Sequence, residues 1–292
     1  MAPVLKIAAA QFESKVSDVE ANFKKATDYI NSAAEQGCDL VVLPEFHLTS
    51  WDTKYPGFRD ACEASNAYLV KYQELARRLG INIVPGTICG PPEGNGEDED
   101  QLHNMSYFIA AGTGDICGSY QKKNLWHPER EHITSSGHEP HQAFDTPFTS
   151  GGDGKPATAI RAGLLTCWDL AFPEAFRALV RDGAQLIIVP SFWFLSDVDE
   201  AGTKLNPESE RLFLESATVA RAFENTACIV FCNAAGASCI TLPHLGALGR
   251  LDFGVEGLLV KEVDMGVLAV AENNYKIRQD LRSADWHYGY KK

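Results

Sequence analysis

The chain repeats one short pattern: a glycine, a run of aliphatic residues, a proline and a phenylalanine. It occurs at 37–46 (GCDLVVLPEF) and again at 183–192 (GAQLIIVPSF), with the same residue at four of the ten positions. An apolar run this short, bounded by glycine and proline, predicts a buried strand. Each copy follows a segment with helical periodicity, so the pattern predicts two similar α–β halves. In that arrangement Glu45 and Ser191 end equivalent strands on the same rim.

The helix ahead of each strand has its own signals. Before the first strand, apolar residues recur every three or four positions, and Ser17 is the predicted N-cap with Glu20 as its capping-box partner. Before the second strand, Pro173 occupies a typical first helical position and Gly183 a typical terminating one. The sequence therefore predicts a helix over 173–182.

The remaining segments continue the alternation of helices and strands. Polar, glycine-rich composition predicts an exposed loop at 146–156, and two short apolar runs at 258–263 and 267–270 predict a final hairpin. Because no long linker interrupts the pattern, we expect one α/β domain over 1–292. Further helices are predicted at about 66–79 and 207–223, and further strands at 4–10, 81–88, 105–111, 116–120, 227–232 and 238–241.

Composition excludes several classes of partner. The 292 residues carry 26 basic and 39 acidic side chains, a net charge of −13, which argues against nucleic acid or an anionic membrane surface. Part of the acidity lies in segment 93–100, predicted to be a solvated loop. No signal-peptide pattern and no apolar run near the roughly 18 residues of a membrane span is evident, so we expect a cytoplasmic protein. Its eight cysteines form no Cys-x-x-Cys pair and are expected to stay reduced.

Three chemically reactive side chains follow strand-like runs. Glu45 follows the first repeated strand, Lys122 follows Gly-Ser-Tyr-Gln, and Cys167 follows Gly-Leu-Leu-Thr. A thiol at a strand-to-helix corner lies near backbone N–H groups and the positive end of a helix, which favours the thiolate. A carboxylate, an ammonium and a thiol at such strand ends can converge on one pocket.

Six motifs in order resemble the carbon–nitrogen hydrolases of the nitrilase superfamily, from about Ile7 to Leu268. The resemblance implies a Glu–Lys–Cys triad at Glu45, Lys122 and Cys167. The motifs are Leu43-Pro-Glu-Phe46, Tyr120-Gln-Lys-Lys-Asn-Leu-Trp126, Cys167-Trp-Asp-Leu-Ala-Phe-Pro-Glu174, Pro190-Ser-Phe-Trp193, Ala220-Arg-Ala-Phe-Glu-Asn225 and Asn233-Ala-Ala-Gly236.

The resemblance implies a four-layer α-β-β-α sandwich that commonly pairs into dimers or higher homo-oligomers, with the tail at about 275–292 at a subunit interface. It also implies roles within the triad. Cys167 is the expected nucleophile, Glu45 the base, and Lys122 the oxyanion ligand together with the backbone N–H of Trp168. This chemistry needs neither a metal nor an organic cofactor.

Some site positions have more than one reading. Many family members carry a second glutamate after the lysine, for which Glu129 fits the register better than Glu131. Trp193 is an expected pocket wall, although an aromatic residue there also suits simple packing. The histidines at 132, 138 and 141 lie in a polar stretch without zinc-ligand spacing, so we expect no metal site.

One departure from the family pattern bears on the substrate. Ala171 stands where many members have an arginine that can pair with a substrate carboxylate, and Asp169 is typical of amidases rather than nitrilases. We therefore expect hydrolysis of a small neutral amide to a carboxylate and ammonia. A nitrilase or N-carbamoyl amidohydrolase with the same triad is the alternative. A catalytically silent binding protein is a third reading, which the intact triad disfavours.

Overall fold

The computed structural model describes residues 2–92, 101–152 and 155–287 and places two β-sheets between two layers of helices. The predicted acidic loop at 93–100 lies outside the described residues. The helices are α1 (Val19–Glu35), α2 (Phe58–Ser65), α3 (Tyr68–Leu79), α4 (Pro173–Arg181), α5 (Glu200–Leu205), α6 (Ser209–Asn225), α7 (Gly266–Tyr275) and α8 (Ile277–Arg282). The strands are β1 (Val4–Gln11), β2 (Leu40–Val42), β3 (Asn82–Val84), β4 (Thr87–Gly90), β5 (His103–Ile109), β6 (Ile116–Gln121), β7 (Phe144–Gly152), β8 (Lys155–Leu164), β9 (Leu186–Ser191), β10 (Cys228–Asn233), β11 (Cys239–Leu242), β12 (Gly246–Arg250) and β13 (Gly257–Asp264).

Each sheet has a parallel centre and antiparallel edges. The first runs β13-β1-β2-β3-β5-β4, with β6 also paired to β5, and its parallel pairs are β1/β2 and β2/β3. The second runs β12-β11-β10-β9-β8-β7, with β8/β9 and β9/β10 parallel. The carboxyl ends of the parallel strands carry the repeated motifs, which is where ligand sites form in open α/β sheets.

The main core lies between the two sheets. Alternate residues of each central strand enter it, such as Ile7 of β1 and Ile188 of β9, while their neighbours Ala8 and Ile187 face the outer helices. Strands buried on both faces explain why the sequence shows continuous apolar runs rather than alternation. The four-layer α-β-β-α order is thus confirmed.

Cys232 joins the two sheets directly. Its thiol lies 3.2 Å from both the Ala10 and the Val42 carbonyl oxygens, across the interface between β10 and the first sheet. Cys228 is also fully buried in this core. Both cysteines therefore act as small core residues.

Two predictions about local structure were wrong. Segment 267–270 is helical, in α7, because β13 already finds its antiparallel partner in β1 along its whole length. Segment 146–156 is largely an edge hairpin of β7 and β8 rather than a loop. Its polar residues suit an edge exposed to water, and register shifts interrupt the pairing there.

Element ends also differ from the prediction. Asp18 caps α1, since its carboxylate accepts the Ala21 N–H, whereas Ser17 precedes it with a left-handed φ of 55°. The predicted strand 81–88 is split into β3 and β4 at Gly86.

None of the helices within the described residues is long and apolar enough to cross a membrane.

Candidate active site

Three charged side chains from separate parts of the chain form one buried ion cluster. Lys122 Nζ donates to Glu45 Oε1 at 2.9 Å and to Glu129 Oε1 at 2.6 Å, and none of the three is more than 3% exposed. Cys167 is also buried, and its thiol interacts with both Glu45 and Lys122. The structure thus brings together the residues that the sequence proposed as a triad.

Glu45 is held just beyond β2 by backbone contacts on two sides. A glycine is required at position 86, because φ is +63° and a Cβ would lie 1.9 Å from the Pro44 carbonyl oxygen. On the other side, the Glu45 N–H donates to the Ser191 carbonyl at 3.3 Å. The predicted common rim of Glu45 and Ser191 is confirmed, and it lies where the two sheets meet.

Lys122 follows β6 at the edge of the first sheet. Its backbone N–H donates to the Asn104 carbonyl at 2.9 Å, so pairing with β5 fixes the position of Lys122 along the sheet edge. The neighbouring Lys123 is partly exposed and its ammonium donates to the Glu139 carbonyl. The sequence register selected Lys122 over Lys123, and the structure places only Lys122 beside the carboxylates.

Glu129 ends a short 3₁₀ turn, His127–Glu129. Its Oε2 accepts the Trp126 N–H at 2.8 Å while its Oε1 accepts Lys122. Glu131 is exposed on the surface two residues later. Of the two candidates for a second glutamate, the structure brings Glu129 into the cluster.

Cys167 lies at a sharp turn after β8 with a left-handed φ of +47°, an uncommon conformation for a residue with a Cβ. It begins a 3₁₀ helix, Cys167–Ala171, that separates the strand from α4. Pro173 opens α4 as predicted, but Cys167 itself lies six residues earlier. The turn, not the α4 N-terminus, therefore surrounds the thiol.

Asp169 holds this turn in place through hydrogen bonds to its carboxylate. Its carboxylate accepts the Thr166 N–H at 2.8 Å, the Tyr120 hydroxyl at 2.8 Å and the Asn124 side-chain amide at 2.8 Å. Asn124 and Tyr120 flank Lys122 in the sequence. One buried carboxylate therefore ties the segment carrying Lys122 to the turn carrying Cys167.

The Ala220–Asn225 motif supports the same turn from α6. The Arg221 guanidinium donates to the Leu170 carbonyl at 3.2 Å and to Glu224 Oε1 at 3.0 Å. Asn225 is buried and donates back to the Arg221 carbonyl. These contacts give Glu224 and Asn225 a structural part in holding α6 against the turn.

The environment of the cluster brings the pKa of Glu45 close to neutrality. Burial raises the pKa of Glu45 to about 7, and the charge of Glu129 adds to this effect, while Lys122 opposes it. One ammonium is shared by two carboxylates, so ionising both leaves a net negative charge in a site shielded from water. A carboxyl with a pKa near neutrality suits a group that accepts and returns protons.

The charges of Glu45 and Glu129 raise the pKa of both Lys122 and Cys167. Burial would lower the pKa of Lys122, but the charges of Glu45 and Glu129 outweigh it and raise that pKa. Burial, followed by the charge of Glu45, raises the pKa of the Cys167 thiol well above its usual range. The expected thiolate is therefore wrong for the free protein, in which Cys167 is a thiol beside a potential acceptor.

Trp168 and Trp193 lie beside the thiol. Their rings are 5.3 Å apart, and the Trp193 indole donates to Glu210 Oε2 at 2.5 Å. Trp168 is the second residue of its 3₁₀ helix, a position whose N–H has no partner within the helix. The Asn233 side chain holds the backbone of Trp193 in place. Its Oδ1 accepts the Trp193 N–H at 2.7 Å, and its Nδ2 donates to the Trp193 carbonyl at 2.8 Å.

Sequence reasoning missed two polar residues of the site. The Asn104 side chain donates to Glu45 Oε1 at 2.8 Å, and Tyr120 donates to Asp169. Asn104 lies on β5 in a run of alternating buried and half-buried residues, where a polar residue at a buried position is the signal that could have revealed it. Nothing in the sequence pairs β5 with Glu45, because that contact joins residues far apart in the chain.

The histidines at 132, 138 and 141 lie in three different environments in the structure. His141 stacks on Tyr120 with ring centroids 5.6 Å apart, and burial lowers its pKa to about 4. His132 meets Trp51 edge-on, and His138 is exposed. Over the described parts of the chain, no three His, Cys, Asp or Glu side chains are grouped as metal ligands.

Comparison with known proteins gives a family match across most of the chain. The sequence model of the carbon-nitrogen hydrolase family matches residues 6–272. A probable nitrilase of Schizosaccharomyces pombe is 28% identical over 281 residues, covering 92% of each chain. The 2-oxoglutaramate amidase of Bacillus subtilis is 24% identical over 286 residues, covering 94% of this chain and 97% of its own.

The fold also matches solved structures. The crystal structure of Saccharomyces cerevisiae Nit3, a member of branch 10 of the nitrilase superfamily, superimposes with a TM-score of 0.74. The two chains are 22% identical, and the match covers 96% of this chain and 97% of Nit3. At this level of identity the comparison establishes the shared fold.

The raised pKa of Glu45 predicts a pH dependence for the reactivity of Cys167. Below about pH 7 Glu45 is protonated and cannot take the thiol proton, so alkylation of Cys167 by iodoacetamide should slow as pH falls through 7. Peptide mass spectrometry after timed alkylation measures this rate. In Glu45→Gln the inflection near neutrality should vanish, whereas exposed Glu131→Gln should retain it. An inflection near the usual carboxyl pKa in the unmodified protein would contradict the assignment.

Proposed function

The chain belongs to the carbon–nitrogen hydrolase family, and on that premise we propose that it is a thiol amidohydrolase. It cleaves a small amide to a carboxylate and ammonia through a thioester on Cys167. The observation that carries this proposal is the buried cluster of Glu45, Lys122 and Glu129 beside the Cys167 thiol. The cluster supplies a proton acceptor, an oxyanion ligand and a nucleophile within one site.

Acylation begins with proton transfer from Cys167 to Glu45. The transfer leaves the total charge of the cluster unchanged, because a thiol and a carboxylate become a thiolate and a carboxylic acid. This avoids the cost of placing a thiolate beside two carboxylates, which is the arrangement that raises the pKa of Cys167. Sγ then attacks the amide carbon, and a carbon–sulfur bond forms.

Lys122 stabilises the charge that develops on the substrate oxygen. Its ammonium has three N–H groups, of which two are committed to Glu45 and Glu129. The third is available for the oxyanion, together with the backbone N–H of Trp168. The two carboxylates hold the ammonium in place before the substrate arrives, so little reorganisation is needed during the reaction.

The leaving nitrogen receives its proton from Glu45. Collapse of the tetrahedral intermediate breaks the carbon–nitrogen bond and releases ammonia, leaving an acyl thioester. A water molecule then gives a proton to Glu45 as its oxygen attacks the thioester carbon. When the carbon–sulfur bond breaks, the Glu45 proton returns to Cys167, and the product leaves as a carboxylic acid that ionises in water to the carboxylate.

A neutral amide is the substrate class that the site favours. Ala171 cannot pair with a substrate carboxylate, and the nearby Arg221 is already bonded to Leu170 and Glu224. The named relatives leave a carboxylate-bearing amide and a nitrile as competitors, since one is a 2-oxoglutaramate amidase and another a probable nitrilase. A carbamoyl compound would use the same chemistry.

The cellular setting is part of the proposal. All eight cysteines are free, as in a reducing compartment, and we assign the enzyme to the cytoplasm on that basis. A small amide is the only partner that the chemistry requires.

Replacing the nucleophile should abolish turnover. Ammonia release from neutral amides, carboxylate-bearing amides, carbamoyl compounds and nitriles is measured for the unmodified protein, Cys167→Ala and the matched control Cys117→Ala. One class should release ammonia, the control should match the unmodified protein, and Cys167→Ala should fall below about 0.01% of it. Release undiminished in Cys167→Ala would refute the nucleophile, and no release from any class would favour a silent binding protein.

Substitutions of the two candidate glutamates should have different effects on kcat. Glu129→Gln removes one of the two charges that hold Lys122, so kcat should fall by about two orders of magnitude. Glu131→Gln lies on the surface and should leave kcat within about twofold, the usual range of a surface substitution. Steady-state kinetics on the preferred amide decide between them, and equal effects of the two variants would contradict the assignment of Glu129.

A homodimer is the oligomeric state that we propose. Helix α6 exposes an apolar stripe, which we call the α6 stripe: Leu212, Val219 and Phe223. Phe223 packs against Tyr275 with ring centroids 4.9 Å apart, so the start of the C-terminal tail lies beside the stripe. Apolar side chains in contiguous exposed positions are typical of subunit interfaces.

Charged residues in the α6 stripe should separate the subunits. Leu212→Glu and Val219→Glu should each shift the mass measured by light scattering from dimer to monomer, because a carboxylate cannot be buried unpaired at an interface. Val270→Glu, an exposed apolar position on α7, is the control that should remain dimeric. A monomeric unmodified protein would overturn the proposal.

A further inference from the structure

We propose that Asn104 is a positioning residue that selects which oxygen of Glu45 takes the proton of Cys167. The inference rests on the proposed function of Glu45 as the base. It concerns an uncharged polar side chain that is hydrogen-bonded directly to the base. Neither the motifs nor the mechanism requires it.

The evidence is an asymmetry between the two oxygens of Glu45. Oε1 accepts two hydrogen bonds, from Asn104 Nδ2 at 2.8 Å and Lys122 Nζ at 2.9 Å. Oε2 is buried and has no hydrogen-bond partner among the described residues. Both Glu45 and Asn104 are 0% exposed, so water does not compete for either. Oε1 is therefore stabilised twice, and Oε2 is left as the more basic oxygen.

The orientation of the Asn104 amide is determined by its neighbour. Turning the amide over would place Oδ1 against Oε1, two acceptors at hydrogen-bond distance, so the donor must face Glu45. The Asn104 backbone carbonyl accepts the Lys122 N–H at 2.9 Å. One residue of β5 thus holds the base by its side chain and the lysine by its main chain.

A neutral donor is suited to this place. It stabilises the carboxylate by a charge-assisted hydrogen bond but leaves the net charge of the cluster unchanged. A second cation would neutralise Glu45 more strongly and make it a weaker base. The ionisable groups that face Glu45 are Lys122 just after β6, Glu129, Cys167 and the buried Cys89 of β4.

Two substitutions at position 104 test the inference. Asn104→Leu removes the donor at similar size, and Asn104→Asp keeps the shape but adds an acidic group. The control is Asn82→Leu, which alters a buried asparagine of β3 in the same sheet, whose side chain bonds backbone groups instead. For each variant we would measure kcat and KM against pH and the alkylation of Cys167 by iodoacetamide against pH. Circular dichroism confirms folding.

In Asn104→Leu the acidic limb of both profiles should move to higher pH by about one unit, the effect of losing one hydrogen bond to a charged group. At neutral pH kcat should fall about tenfold with KM within twofold, since the donor acts on the base and not on the substrate. Asn104→Asp should move the limb further, because a second carboxylate opposes ionisation of Glu45. Asn82→Leu should leave both limbs in place.

Unshifted limbs in folded Asn104 variants would overturn the inference, even if activity fell, because a purely structural role predicts that result. If Asn104→Leu does not fold, the isosteric Asn104→Asp carries the test alone. The alkylation profile needs no turnover. A protein that hydrolyses no amide yet shows the shifted alkylation limb would therefore refute the proposed function and retain the role of Asn104.

Discussion

The structure depends on one ammonium placed between two carboxylates in a site shielded from water. Removing one partner of such a buried ion pair costs about 3–5 kcal/mol, because the remaining charge is left without compensation. Burial raises the pKa of Glu45 to about 7, and the charge of Glu129 adds to this effect, while Lys122 opposes it. Burial, followed by the charge of Glu45, also keeps Cys167 protonated. The pairing of a neutral thiol with a near-neutral base therefore follows from burying these groups together in a small volume.

The fold brings these charges together by joining two similar halves at their strand ends. Glu45 and Ser191 end equivalent strands and meet through a backbone hydrogen bond, while the Cys232 thiol bridges the sheets below them. Asp169 then ties the cysteine turn to the segment that carries Lys122. The inner layers therefore serve both as the hydrophobic core and as the frame that holds the reactive side chains in place.

Some errors of the sequence analysis have a common cause. Segment 267–270 and segment 146–156 were assigned from composition over a few residues, and both assignments failed because strand pairing decided the outcome: β13 pairs with the distant β1, and β7 pairs with β8. Helix α2 was not predicted, and the break between β3 and β4 was missed because Gly86 is needed for its close approach to Pro44 rather than for any local turn. Long strands and helices with sustained periodicity, such as β1, α1 and α6, were predicted to within two residues at most of their ends.

The sequence by itself determined the α/β class and the paired halves, because apolar periodicity is a property of neighbouring residues. Its motifs, which resemble those of the carbon–nitrogen hydrolases, also pointed to Glu45, Lys122 and Cys167 and favoured Glu129 over Glu131. Only the tertiary structure decided that Glu129 and not Glu131 reaches the lysine, that Asn104 bonds one oxygen of the base, and that Cys167 is a thiol. Those outcomes depend on burial and on the summed field of groups from β2, β5, β6 and the turn after β8. Desolvation and Coulomb energies are set by distances in space, which separation along the chain does not encode.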